Sequence, residues 1–328
     1  MSSIGNSTSI SARLTENKII LITRKTRLEE LIVKYNTVGQ ARFYIEHLGG
    51  DFAAYQAEHD NYLACVSAAE ISLTQIARLQ KIDRSFLPNM IFGRDDIIIA
   101  LGQDGLVVNT MKYLDGQRLI GINPDVQRWD GVLLPFQVRD LPKIVPEVLQ
   151  QRRPVREVTM AMARLNNGQT MLGVNDIFIG PKSHISASYT IQLQERQERQ
   201  SSSGIIISTG MGSTGWMKSI LTGAAALHEQ IDDPRQMIYN IATEPLTHTA
   251  DWDTRELMFA VREPFPSKTS SATLVRGQIQ EDSKLQVTSL MPEHGVIFSD
   301  GIEADYLEFN AGLTAEIGVA DRRGYLVV

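Results

Sequence analysis

A carboxylate between two glycines is the first candidate for chemistry. Gly102-Gln103-Asp104-Gly105 directly follows the apolar run Ile97–Leu101. An apolar run that ends at turn residues predicts a strand buried on both faces, as in a parallel sheet. Backbone N–H groups in such a turn, at the positive end of a following helix, can bind an anion. The pattern predicts either a phosphate site that contains the Asp104 carboxylate or an ordinary strand-to-helix turn with a solvated aspartate.

Cations follow the first predicted strand. The apolar run Ile19–Ile22 ends in a segment that contains Arg24, Lys25 and Arg27. Open α/β sheets bind ligands outside the carboxyl ends of their strands. Cations in that place can neutralise a triphosphate. The alternative is a solvated basic turn.

A second glycine-rich loop, Thr209–Trp216, follows the strand predicted at Gly204–Ser208. Its GxGxxG spacing matches the dinucleotide fingerprint, and a further strand at Met237–Ala242 would end near Glu244. A Rossmann oxidoreductase is therefore one alternative, and a structural glycine turn is another. The loop is also rich in hydroxyl groups, which favour hydrogen bonds to a ribose or a phosphate. These hydroxyls belong to Ser208, Thr209, Ser213 and Thr214.

The order of the elements predicts two domains. Strand, helix and strand between Ile97 and Asn123 form a βαβ unit, so residues 17–150 are predicted to be an α/β domain with a mostly parallel sheet. Short strands separated by turns predict a β-rich, sandwich-like domain over 151–328, whose tail can pack back on the first domain. Residues 1–16 are Ser-rich and are expected to be a disordered N-terminus without the features of a signal peptide.

Helical spacing occupies most of the chain between the first two apolar strands. It predicts helices at Leu28–Tyr35 and Val38–Leu48 and one or two more within Tyr55–Gln80. The polar positions of the last segment are interpreted as solvated helix faces. In the second half, Gln169–Ile179 and Ala272–Val275 are among the predicted strands.

Composition excludes several classes of protein. The chain has 328 residues, of which 43% are hydrophobic, and a net charge of −6. Because the balance is acidic, a general nucleic-acid binder is disfavoured. The single cysteine, Cys65, permits no internal disulfide and no cysteine-based metal site, and it favours a reducing compartment. No apolar run approaches the ~20 residues of a membrane span, so we expect a cytoplasmic protein that does not bind membranes.

Five short motifs occur in an order that is fairly specific as a set. They are Gly102-Gln103-Asp104-Gly105, Gly121-Ile122-Asn123, Asn175-Asp176-Ile177-Phe178-Ile179-Gly180, Thr209-Gly210-Met211-Gly212-Ser213-Thr214 and Phe298-Ser299-Asp300-Gly301. This set resembles the NAD kinases. The segments Thr23–Arg27 and Gly121–Pro135 look most similar to the mitochondrial-type branch and its bacterial relatives.

The resemblance implies an N-terminal α/β domain, a C-terminal β domain and an active site between them. It implies transfer of the γ-phosphoryl group of ATP to the 2′-hydroxyl of the adenosine ribose of NAD, which gives NADP. Asp104 would act at the reacting hydroxyl, and Mg²⁺ would help to take the phosphate charge. No protein side chain is predicted as a metal ligand. The residues predicted to bind ATP or NAD are Arg24, Lys25, Arg27, Gly102, Gln103, Gly105, Asn123, Asn175, Asp176, Thr209, Gly212, Ser213, Thr214 and Asp300.

Four residues depart from the pattern of the family. Gln103 replaces a glycine of GGDG, and Leu106 replaces the threonine that usually follows this motif. Asp176 replaces a glutamate, and Trp216 replaces a smaller aromatic residue. A side chain at Gln103 would cost about 1 kcal/mol or more if the backbone there had a positive φ. Two alternatives follow: the same fold with a lipid or other hydroxyl acceptor, or a non-catalytic dinucleotide-binding relative. We also expect a homo-oligomer, either a dimer or a tetramer.

Overall fold

The computed structural model describes residues 14–229 and 251–328. These residues form two compact units. The first unit contains 14–155 and 325–328, and the second contains the described residues of 156–324. Neither part of the described chain contains a helix that is long and apolar enough to cross a membrane.

The first unit is built on a parallel sheet. Its strands are β1 (Lys18–Thr23), β2 (Arg78–Asp83), β3 (Ile97–Leu101) and β4 (Arg118–Ile122). They lie in the order β2-β1-β3-β4 and pair in parallel, and Tyr325 and Leu326 pair in parallel with the outer side of β4. Every residue of β3 is buried, as expected for a strand covered on both faces.

Five helices belong to this unit. They are α1 (Arg27–Tyr35), α2 (Val38–His47), α3 (Phe52–Thr74), α4 (Asp104–Met111) and α5 (Leu141–Leu149). The apolar stripes of α3 and α5 cover one face of the sheet, where Leu73 and Ile144 join Leu21 and Ile99 in the core. α1 begins with a capping box in which the Thr26 and Glu29 side chains each bond the other's backbone N–H.

The extent of α3 corrects the sequence prediction. Helix was predicted as far as Gln80, but α3 ends at Thr74 and β2 begins at Arg78. β2 is an edge strand with no fully buried residue, and it pairs only with β1 along the described sheet. The strand is stabilised by that pairing, so its six residues do not need the apolar pattern from which a strand is predicted.

The second unit is a sandwich of two sheets, as the turn-separated strands predicted. The strands of the first half are β5 (Val155–Leu165), β6 (Thr170–Gly173), β7 (Asp176–Pro181), β8 (Ala187–Leu193), β9 (Arg196–Ser202) and β10 (Ile205–Ser208). α6 (Trp216–Glu229) follows β10. The later strands are β11 (Glu256–Val261), β12 (Arg276–Gln280), β13 (Leu285–Ser289), β14 (Gly295–Ser299), β15 (Tyr306–Glu308) and β16 (Thr314–Val327), the last of which ends among the residues of the first unit.

One sheet of the sandwich contains β16-β13-β8-β9, with β5 and β6 joined to it through β16. The other is antiparallel in the order β12-β11-β10-β7-β14-β15. Alternate residues of both sheets fill one core, in which Ile177 and Ile207 meet Tyr189 and Val287. Two predictions were wrong in detail: Gln169–Ile179 is divided into β6 and β7, and Ala272–Val275 precedes β12 without being a strand.

Candidate functional site

In the first unit, the cations and the glycine turn lie at adjacent strand ends. Arg24 follows β1 and Gly102 follows β3, its neighbour in the sheet. The strand order reverses between β1 and β3, which is where open α/β sheets bind ligands. The Tyr62 hydroxyl bridges the two ends, accepting from Arg24 N–H at 2.9 Å and donating to the Leu101 carbonyl at 3.0 Å. The structure thus brings the two predicted groups together.

The glycine turn has the geometry of an uncapped helix start. α4 begins at Asp104, and Gln103 occupies the N-cap position without a side-chain hydrogen bond to the helix. The first N–H groups of α4 therefore lack the side-chain cap that usually satisfies them. Gln103 has φ −119° and ψ 164°, an extended conformation that any residue adopts. The backbone at Gln103, which stands at a glycine position of the motif that the sequence resembles, is consequently unstrained.

A close backbone approach orients the Asp104 carboxylate. Its Oδ1 accepts the N–H of Leu133 at 2.8 Å. Leu133 can lie there because Gly121 in β4 has no side chain: a Cβ on Gly121 would be 2.0 Å from the Leu133 carbonyl oxygen. Gly121, the glycine of the motif Gly121-Ile122-Asn123, therefore allows the loop at Leu133 to hold the Asp104 carboxylate.

Asn123 organises the same loop. Its Nδ2 donates to the Trp129 carbonyl at 3.0 Å, and its Oδ1 accepts from Asp125 N–H at 2.9 Å. The side chain is buried, and these two bonds engage both its amide nitrogen and its amide oxygen. In the structure the Asn123 side chain therefore bonds the loop that follows β4, and its predicted role in ligand binding stays a prediction.

The cations after β1 converge on a residue that sequence reasoning missed. Glu58 of α3 was assigned to a solvated helix face, but it is only 5% exposed. Its carboxylate lies 3.0 Å from Arg24 Nη2, 3.8 Å from Arg27 Nε and 3.7 Å from Arg128 Nη1. Lys25 is exposed. No local pattern marks Glu58, because its burial depends on arginines from two distant loops.

In the second unit, Asp300 assembles another group of predicted residues. Its carboxylate accepts backbone N–H groups of Val174 at 3.0 Å, Asn175 at 2.7 Å and Asp176 at 3.4 Å. Asp300 has φ 55° and Gly301 has φ 70°, so a left-handed turn after β14 directs the carboxylate at the start of β7. The Asp-Gly motif and the Asn-Asp motif therefore meet, although they are 125 residues apart.

The hydroxyl loop is attached to the same strand start. Thr209 donates its N–H to the Asn175 carbonyl at 2.9 Å and its hydroxyl to the Val174 carbonyl at 2.6 Å. Gly212 packs against that backbone so closely that a Cβ would be 1.9 Å from the Asn175 oxygen. The Ser213 hydroxyl donates within its own loop, to Gly210, and Thr214 is exposed.

Asp176 lies buried at the centre of this group, with 7% of its surface exposed. Burial, and to a smaller extent the charge of Asp300, raise the pKa of its carboxyl from 3.8 to about 7. The group can therefore exchange a proton near neutral pH, which an ordinary aspartate cannot do.

The Rossmann alternative fails on strand direction. The fingerprint requires a strand in a parallel βαβ unit, but β10 pairs antiparallel with both β7 and β11. The predicted strand Met237–Ala242 and Glu244 lie outside the described residues.

A cavity of about 660 Å³ in the second unit was not predicted as a site. Trp216 and His184 line it, but the Asn175–Asp176 group does not. The Trp216 ring stacks on Phe178 at 5.7 Å between centroids, and the Arg262 guanidinium lies 5.4 Å from the centroid of the Trp216 ring. The Trp216 ring thus forms part of an aromatic wall of this cavity.

No metal cage is formed by the protein alone within 14–229 and 251–328. These residues contain no group of three or more His, Cys, Asp or Glu side chains that could hold an ion. A divalent cation at the first unit would need most of its oxygen ligands from elsewhere.

The two units have the fold seen in solved structures of nicotinamide dinucleotide kinases. One of these is an NAD kinase from Archaeoglobus fulgidus in complex with ATP, with 12% sequence identity and a TM-score of 0.54; the match covers 95% of this chain and 93% of that one. Another is yeast NADH kinase complexed with NADH, with 16% identity and a TM-score of 0.56, covering 96% and 84%. No protein-family profile and no curated protein sequence matches the chain. At these identities the comparison establishes the fold.

Proposed function

We propose that this protein is an NAD kinase that transfers the γ-phosphoryl group of ATP to the 2′-hydroxyl of the adenosine ribose of NAD, giving NADP. The observation that carries the proposal is the Asp104 carboxylate at the uncapped start of α4, beside the arginines that follow β1. The likeness of the fold to an NAD kinase and an NADH kinase over most of the chain supports it.

The triphosphate of ATP binds at the strand ends of the first unit. Phosphoryl transfer needs alignment and neutralised charge more than covalent chemistry from the protein. The free N–H groups of α4 and the positive end of its dipole supply part of that charge. Arg24, Lys25 and Arg27 supply the rest. Gly105 leaves the backbone open to the phosphates, since nothing lies within 4 Å of the position of a Cβ there, and Gly102 lets Leu106 pack against the turn, since a Cβ on Gly102 would lie 2.9 Å from Leu106 Cδ2.

Asp104 acts on the attacking hydroxyl. The bond between Leu133 N–H and Oδ1 fixes the plane of the carboxylate and leaves Oδ2 for the substrate. Asp104 accepts the proton of the 2′-hydroxyl as its oxygen forms the bond to the γ-phosphorus, while the bond to the bridging oxygen breaks and ADP leaves.

NAD is held by the group around Asn175 and Asp176. The Asn175 side chain and the exposed Thr214 hydroxyl offer hydrogen bonds to the ribose and amide groups of a dinucleotide. Asp176 can accept from, or when protonated donate to, a ribose hydroxyl. Asp300 and Gly212 act indirectly, since their contacts are with the backbone that carries these side chains.

Mg²⁺ fits this site only when it binds together with the nucleotide. Since the described residues form no cage of three acidic or imidazole ligands, the ion would be held by the phosphates and at most one or two carboxylates, its usual arrangement in kinases. When bound, it neutralises phosphate charge.

The active form is proposed to be a cytoplasmic homodimer or homotetramer. Size-exclusion chromatography with light scattering tests the oligomer, and a monomer that retains full activity would contradict it.

A coupled assay tests the activity. The protein is incubated with ATP, Mg²⁺ and NAD, and NADP is detected with an NADP-specific dehydrogenase. We expect Asp104→Asn to reduce turnover by about 10²-fold or more, the range for loss of a general base. The matched control is Asp51→Asn, which changes an exposed aspartate at the start of α3 that accepts an N–H as asparagine also can.

The outcomes separate the alternatives. NADP formed by the wild type and the control, but not by Asp104→Asn, supports both the activity and the role of Asp104. If Asp104→Asn is as active as the wild type, the proposed role is wrong. Calorimetric binding of NAD without any NADP would instead indicate another acceptor or a non-catalytic binding protein.

A further inference from the structure

Three arginines share one buried carboxylate in the first unit. Glu58 contacts Arg24, Arg27 and Arg128, and Arg128 also lies 3.5 Å from Asp125. Three guanidinium groups face two carboxylates, so one positive charge is uncompensated. The side chains of Arg24 and Glu58 are 8% and 6% exposed, and solvent screens such buried charges weakly. The cluster therefore has an excess of positive charge, which water screens weakly at Arg24 and Glu58 and more strongly at Arg27 and Arg128, whose side chains are 52% and 33% exposed.

Arg24 also has a donor that no described residue satisfies. Its Nη1 and Nη2 donate to the Lys25 carbonyl and to Glu58, but its Nε is buried without a hydrogen-bond partner. Leaving a buried charged donor unpaired is costly. The Nε lies 3.7 Å from the position that a Cβ on Gly102 would take, so this donor faces the turn before α4. A hydrogen-bond acceptor bound in that turn would satisfy the Nε donor of Arg24.

The loop after β4 contains Arg128, the third arginine of the cluster. Asn123 bonds the backbone at Asp125 and Trp129, which fixes the residues around Arg128. The guanidinium of Arg27 lies 5.6 Å from the centroid of the Trp129 ring, a distance typical of a cation–π contact. Arg128 is 33% exposed, so it can reach a ligand without leaving the cluster.

We propose that Arg128 is a phosphate-binding residue and that Glu58 is a positioning residue, which holds Arg24, Arg27 and Arg128 as one phosphate-binding cluster. The identification of the phosphate as that of ATP rests on the proposed function. The cluster itself would bind any compact oligophosphate.

Electrostatics alone and the proposed positioning role predict opposite effects of removing Glu58 on phosphate binding, and this makes the proposal testable. A carboxylate among three arginines lowers the positive potential, so its removal alone would strengthen phosphate binding. If Glu58 positions the arginines, its removal weakens binding instead, because Arg24 and Arg128 lose the group that orders them. The sign of the change separates the two roles.

Calorimetric binding of inorganic tripolyphosphate to the full-length protein is the primary measurement. We expect Arg128→Gln to weaken binding about tenfold, as for one lost charge-assisted hydrogen bond. The matched control is Arg94→Gln, the same change at an exposed arginine that precedes the amino end of β3, whereas the cluster lies at the carboxyl ends of the strands. The Michaelis constant for ATP should rise in parallel with little change in kcat, because the contact is made equally before and during transfer.

Glu58→Gln and Glu58→Asp test the positioning role. Glu58→Gln keeps the length and loses the charge, whereas Glu58→Asp keeps the charge on a shorter side chain. We expect each to weaken tripolyphosphate binding by at least about threefold, since neither can hold all three guanidinium groups.

The proposal is overturned if Glu58→Gln binds tripolyphosphate as tightly as the wild type or more tightly. It is also overturned if Arg128→Gln behaves like Arg94→Gln, a test that stands even if the Glu58 variants fail to fold. Tight tripolyphosphate binding that depends on Arg128, in a protein that makes no NADP, would support the phosphate-binding cluster and refute the proposed NAD kinase activity.

Discussion

Replacement of Asp176 by asparagine should stabilise the second unit, and the gain should grow with pH. The carboxyl is 7% exposed and its pKa rises from 3.8 to about 7 on folding. Between these pH values the folded state binds more protons than the unfolded state. Stability is therefore lost as pH rises from about 4 to about 7, because the unfolded carboxyl ionises freely and the folded one does not.

The size of the effect follows from the two pKa values. At 1.36 kcal/mol per pH unit, a pKa moved from 3.8 to about 7 costs the wild type about 4 kcal/mol of folding free energy at pH 8. At pH 5 the cost is only about 1.5 kcal/mol, because the folded carboxyl is still protonated there. The advantage of Asp176→Asn over the wild type should therefore increase by about 2.5 kcal/mol between pH 5 and pH 8.

Urea unfolding followed by tryptophan fluorescence measures this difference. Two of the three tryptophans, Trp216 and Trp252, lie in the second unit, so the signal reports mainly on it. Asp282→Asn is the control, since Asp282 is an exposed aspartate of the same unit. If the difference between Asp176→Asn and the wild type changes by less than about 0.5 kcal/mol between the two pH values, the assignment of a raised pKa to the buried Asp176 carboxyl is refuted.

Two further predictions concern glycine positions. Gly212→Ala should destabilise the second unit by about 3 kcal/mol or more in thermal unfolding, since its Cβ would lie 1.9 Å from the Asn175 oxygen. The control Gly223→Ala, in α6 with open space around it, should be neutral or stabilising by up to about 1 kcal/mol when measured in the same way. Gln103→Gly should change turnover in the coupled assay by less than about threefold, because φ is −119° at Gln103 and no backbone strain is relieved; a large gain in activity would show that the side chain obstructs the phosphates.

Local sequence was sufficient for most of the fold. The continuous apolar run at Ile97–Leu101 predicted a buried strand of a parallel sheet, and the run at Ile19–Ile22 predicted the first strand; the two strands pair in parallel. Turn residues after Pro154 predicted the β-rich unit, and its sandwich confirms that prediction. These features depend on the period of apolar residues and on turn chemistry, which neighbouring residues alone define.

The edge strand β2 could not be predicted from the local sequence pattern. Its sequence, Arg78 to Asp83, continues the polar and apolar mixture of α3, and only pairing with β1 makes it a strand. An edge strand gains its stability from a partner that the local pattern does not contain.

The candidate sites show the same division. The sequence by itself determined which groups are present: a carboxylate in a glycine turn at Asp104, cations after β1, and hydroxyls after β10. Only the tertiary structure decided that Asp300 holds the backbone of Asn175, that Glu58 collects three arginines, and that Asp176 exchanges a proton near neutral pH. The physical reason is that burial and charge act through space, so they are set by groups that meet only when the chain has folded.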